Sequence, residues 1–132
     1  MTETQRIAEL TALFERLGAR DPAAWARSEV EEGIPQLARF LFLRQGWRQV
    51  VSEDDTSWID KWIASWKDKP NAPYAAIGRA LSTLLEKGAT RAELADLVRG
   101  MQALVLFELC YLLDDPQIEE TEVRDVAWRL RI

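Results

Sequence analysis

Ala103-Leu-Val-Leu-Phe-Glu-Leu-Cys-Tyr-Leu-Leu113 is an apolar run with one carboxylate inside it, and its reading decides the fold. Upstream, Thr90-Arg-Ala-Glu93 has the form of a capping box, in which the Thr and Glu side chains each satisfy a free backbone N–H at a helix start. Together they give one long helix over about residues 91 to 113, amphipathic at first and then apolar nearly all round. A helix that loses its polar face is one that neighbours enclose, so this is expected to be the central helix, with the others packed around it. At about 100° per residue, Glu108 projects among Leu97, Met101, Leu104, Val105 and Leu112, in the middle of that helix's apolar face.

A second charge is placed in the same way. Arg44 lies on the stripe formed by Leu37, Phe40, Leu41, Trp47 and Val51. A buried charge without a counter-charge costs several kcal/mol, so Glu108 and Arg44 are expected to form one buried ion pair. A guanidinium suits this role because it engages a carboxylate through two parallel hydrogen bonds. Arg48, one turn further along, is the alternative donor. Two other readings stand beside the structural one: the two charges floor a ligand pocket, or the helix phase is wrong and both are exposed.

Working outward, the chain is a succession of helices with clear punctuation. Thr2-Glu-Thr-Gln5 is a capping box, and Ile7, Leu10, Leu13, Phe14 and Leu17 follow on one face before Gly18 stops the helix. Asp21-Pro22 opens a second helix that ends at Gly33, and Pro35 opens a third that is expected to reach about Val51. Ser52-Glu-Asp-Asp-Thr-Ser57 is a polar break that supplies caps for a fourth. Trp58, Trp62 and Trp66 recur there at a spacing of four and form a ladder flanked by Ile59 and Ile63. A fifth helix after Pro73 is expected to bury Tyr74, Ile77, Leu81, Leu84 and Leu85. Past Asp114-Asp-Pro116 the signals conflict. Val126, Trp128, Leu130 and Ile132 alternate as in a strand, while Val123, Val126, Ala127 and Leu130 fit a helix. The extended reading requires a partner strand, and dimerisation through this C-terminal segment would supply one.

The expected fold is therefore all-α: a single helical domain over 1–132, an irregular bundle of five or six helices with a short extended C-terminal segment. A chain of 132 residues can bury such a core without staples. Its net charge of −5 and pI near 4.8 argue against a nucleic-acid partner, which selects a basic face. No stretch reaches the roughly 20 apolar residues that span a bilayer. The single cysteine, Cys110, sits in the apolar run and reads as a small buried hydrophobe, which together with the polar N-terminus suggests a reducing, cytoplasmic setting.

Chemistry is sparse. The chain has no histidine, which removes the commonest general base and metal ligand, and its six glycines are scattered singly, with no phosphate-binding loop. The acidic clusters lack the ligand alternation of a calcium loop. No catalytic residue, metal or cofactor is expected. Glu53, Asp54 and Asp55 read as a solvated acidic loop or as a docking surface for a basic partner. The ladder of Trp58, Trp62 and Trp66 reads as core or as an aromatic binding edge. The function expected from these features is a non-enzymatic protein-interaction module, an inhibitor or immunity-type binder of a basic partner. The alternative is a small-ligand binder or enzyme with a pocket at Glu108 and Arg44.

Overall fold

The computed structural model describes residues 1–115 and 118–123, and the expectation of an extended segment over 126–132 lies outside them. Among the described residues the chain is all-helical. Its elements are α1 (Glu3–Arg16), α2 (Pro22–Glu32), α3 (Gln36–Trp47), α4 (Ser57–Ala64), α5 (Ala75–Glu86) and α6 (Arg91–Asp114), followed by one 3-10 turn over Thr121–Val123. The chain divides into two compact units: Met1–Gly46 with Glu108–Ile132, and Trp47–Phe107.

In the first unit, α1 packs on α2, and Phe14, Ala26 and Leu37 form the buried centre with Ile7, Leu10, Leu13, Phe40 and Leu41 around them. Phe14 and Phe40 meet edge to face with ring centroids 6.0 Å apart, the geometry that the aromatic quadrupole favours. The capping box at Thr2 is formed in both directions, through Gln5. The start of α3 is satisfied from α2 instead of by a residue of its own: Glu29 Oε1 accepts the Leu37 N–H at 2.8 Å. Gly33 takes the left-handed conformation (φ 73°) that ends α2 at little steric cost. Arg39 pairs with Asp114 on the surface at 2.6 Å.

In the second unit, Ile59, Leu81 and Leu94 are buried together, one from each of α4, α5 and α6, with Trp58, Trp62, Ile63 and Leu85 packed on them. The Thr90–Glu93 capping box is present, both bonds being 3.0 Å. Asp60 and Arg91 form a bidentate pair at 2.7 and 3.0 Å, joining α4 to the start of α6.

Several expectations are corrected. The third helix stops at Trp47, short of Val51, and the Val51 peptide is held by α6 side chains: Gln102 Oε1 accepts its N–H at 2.8 Å and Arg99 donates to its carbonyl at 2.9 Å. The tryptophan ladder loses its last rung, because α4 ends at Ala64 and Trp66 lies beyond it in a left-handed conformation (φ 67°). On α5, Leu81 is buried and Leu85 half-buried, but Ile77 and Leu84 are exposed, and Tyr74 precedes the helix and is exposed as well.

The largest departure is on α6. The face expected in the core is open: Leu97, Met101 and Leu104 are 59%, 54% and 52% exposed. The buried side carries Ala95 and Leu106, with Arg99 and Gln102 half-buried beside them. The physical reason is the Val51 peptide. The two polar side chains turn inward because they satisfy its N–H and carbonyl, and the leucines and Met101 that share the helix are left facing out.

Candidate interaction surface

Glu108 and Arg44 do not pair. Glu108 is exposed, and the ion pairs formed among the described residues do not include either side chain. Arg44 is half-buried, with its Nε enclosed and without a hydrogen-bond partner. The reading with the helix phase inverted is therefore the correct one for Glu108. Arg48 is exposed and forms no ion pair among the described residues.

The open face has a definite charge. By helical spacing, Glu93 projects with Leu97, Met101 and Leu104, and Asp96 stands about 100° round the helix from Leu97, at the border of the strip; both are acidic and exposed. Glu93 is committed to its cap, and the Thr90 backbone N–H, followed by the Thr90 side chain, holds its carboxyl below the usual range. Asp96 forms no ion pair among the described residues. The two arginines of α6 are engaged elsewhere: Arg91 with Asp60, and Arg99 with Val51 and over the Trp47 ring, 5.3 Å from its centroid. Phe107, at the end of this stretch, packs edge to face on Trp47 at 6.3 Å and is still 48% exposed. The result is an apolar strip bordered by negative charge with no cation of its own free to neutralise it.

The remaining candidates fall into two groups. Glu53, Asp54 and Asp55 are exposed, as expected, but the loop is organised by its own bonds. Ser52 Oγ accepts from the Asp54 and Asp55 N–H groups at 3.1 Å, and Asp55 Oδ1 accepts the Ser57 N–H at 3.0 Å. That bond from Ser57 lowers the Asp55 pKa and caps α4 where the Thr56 side chain does not. Trp58 and Trp62 are half-buried against the core of the second unit, and Trp58 Nε1 donates to Ser52 O at 3.2 Å. Trp66 is 40% exposed and leans on Tyr74, centroids 6.5 Å apart. The structure thus separates Trp66 from the other two tryptophans.

The Cys110 thiol is half-buried, and burial followed by the nearby Asp114 charge pushes its pKa up, away from the reactive thiolate. Among the described residues no group of three or more acidic or cysteine side chains is placed to hold a metal ion, and no helix is long and apolar enough to cross a membrane. A cleft in the second unit, between the end of α4 and the first turns of α5, includes neither Arg44 nor Glu108. No outward-facing residue of α6 was chosen as a site from sequence except Glu108. The signal for the others was present as an excess of apolar residues over what one buried face requires. The chain matches no family model, no curated protein and no solved structure.

Proposed function

We propose that this chain is a non-enzymatic protein-interaction module that binds a basic amphipathic helix along the outward face of α6. The observation that carries this reading is the exposure of Leu97, Met101 and Leu104 on a strip beside the exposed acids Glu93 and Asp96. Apolar side chains in a row are costly to leave in water and mark interaction sites on soluble proteins. Their spacing of three and four matches the anchors through which helices engage each other. Asp96 then selects the sign of the partner: Lys or Arg flanking its apolar stripe gains a counter-charge at the border of the strip. A second copy of the chain brings the same acids and no free base on this face, so it offers no such gain. Acid-lined surfaces of this kind speed association more than they raise affinity, which suits an inhibitor or immunity-type role. A reducing, cytoplasmic setting goes with this reading, supported by the single unpaired thiol of Cys110.

The test is titration calorimetry of the full chain with an amphipathic Leu/Lys helical peptide and with its Leu/Glu counterpart. The Leu/Lys peptide is expected to bind and the Leu/Glu peptide to fail. Leu104→Asp and Asp96→Lys should each weaken binding by about tenfold or more, and added salt should slow association. Binding that ignores both substitutions overturns the reading. So does a concentration-dependent dimer in sedimentation that Leu104→Asp abolishes, because a second copy is then the occupant.

A further inference from the structure

We propose that the cleft between α4 and α5 is a binding site for a small organic anion, a carboxylate or phosphate monoester carried on a flat apolar body. This site is independent of the α6 surface. The cleft measures about 260 Å³. That is slightly below the roughly 300–1,000 Å³ of sites for drug-sized ligands, which sets the scale at a single ring.

Charge is the first argument. The chain as a whole carries −5, yet the ionisable residues lining this cleft are Lys67 and Arg79, both positive. Arg79 is already fixed: its Nη1 donates to the Pro70 carbonyl at 2.6 Å, which holds the guanidinium at the mouth. A guanidinium has five N–H donors, and Arg79 makes no other hydrogen bond or ion pair among the described residues. Lys67 has no partner there either, so it can add a second, mobile positive charge. Arg79 supplies the planar fork that carboxylate and phosphate oxygens match, and a pre-positioned fork loses less freedom on binding.

Shape is the second argument. The wall from α5 is built of the small residues Ala75 and Ser82, with Gly78 between them packed against the Trp62 backbone, and Ser82 adds a hydroxyl donor. The opposite wall is apolar and aromatic, formed by Ile63 and Trp66. Trp66 holds that position with φ 67°, a conformation that is costly for a non-glycine residue and persists where the surroundings impose it. Tyr74 buttresses its ring from one side. A cationic mouth over an aromatic wall orients an amphiphilic anion: head group towards Lys67 and Arg79, ring against Trp66.

The test is a heteronuclear NMR titration of the full chain with benzoate, phenyl phosphate, inorganic phosphate and benzylamine. Benzoate, phenyl phosphate or both should give saturable shifts confined to residues 63–82, and whichever binds tighter identifies the head group. Lys67→Met should weaken that binding by about tenfold, and Ser82→Leu, which fills the recess, should abolish it. The rest of the spectrum reports that each variant is folded. The proposal is overturned if neither ring-bearing anion saturates, or if benzylamine binds as tightly as they do. It is equally overturned if inorganic phosphate alone matches them, or if both variants bind like the parent chain.

Discussion

Gly78 of α5 lies so close to the backbone carbonyl of Trp62 in α4 that a β-carbon built on it would overlap that oxygen. The two helices therefore meet backbone to backbone at this point, and a hydrogen atom is the largest side chain that fits. Gly100, inside α6, has nothing within 4 Å of the same position.

Two glycine-to-alanine substitutions should consequently act in opposite directions. Gly100→Ala should stabilise the fold by up to about 1 kcal/mol, the usual helical preference for alanine. Gly78→Ala should destabilise it by roughly 1–3 kcal/mol, since overpacking against rigid backbone outweighs that preference. Urea denaturation of both variants checks the sign as well as the size.

Trp62 and Trp66 should part company in the same experiment. Trp62 packs on the Ile59, Leu81 and Leu94 core, so Trp62→Ala should cost about 3–5 kcal/mol. Trp66 is outside the helix and 40% exposed, so Trp66→Ala should cost clearly less. Equal losses would mean that Trp66 is as much part of the core as Trp62.

Arg44→Met should be neutral or stabilising, within about 1 kcal/mol, because it removes a buried Nε that has no acceptor. Glu108→Leu should likewise leave folding nearly unchanged, within about 0.5 kcal/mol for an exposed site. A loss of about 3–5 kcal/mol in either variant, the cost of breaking a buried pair, would restore the pairing that the geometry denies. Thermal melts of the single and double variants decide it.

Stability should fall in acid partly through Asp60. The hydrogen bond from Arg91 lowers its pKa from the ordinary 3.8. A carboxylate with a depressed folded pKa contributes stability above its unfolded pKa and loses it as the pH falls through the folded one. The contribution should thus be full at neutral pH and fade below about pH 4. Asp60→Asn should flatten the acid limb of the stability profile, measured by urea midpoints across that range, and high salt should shrink the difference between the two proteins.

The helices themselves were legible because their ends carry specific chemistry. Thr2 with Gln5, Thr90 with Glu93, and Gly33 mark boundaries that the structure reproduces closely. The α6 face was not legible, for a reason that lies in two polar residues. Arg99 and Gln102 look like the solvent side of an amphipathic helix, and Leu97, Met101 and Leu104 look like its core side. The pattern contains no signal that Arg99 and Gln102 bind the peptide of Val51, some fifty positions away in sequence. Trp66 was misplaced for a related reason. A spacing of four suggests a helix, but the turn after Ala64 takes the chain out of it before the third tryptophan. Glu108 was singled out as a misplaced charge, whereas in the structure it is an ordinary exposed one.

The Val51 peptide has a kinetic consequence. Its N–H and carbonyl are both taken by side chains of α6, although Val51 itself belongs to no helix. In deuterated solvent its amide should exchange far more slowly than that of Glu53 just beyond it. Removing the acceptor with Gln102→Leu should release that proton while the backbone amides within α6 keep their protection. A loop position would then serve as a clock for the opening of a single tether, separate from the unfolding of any helix.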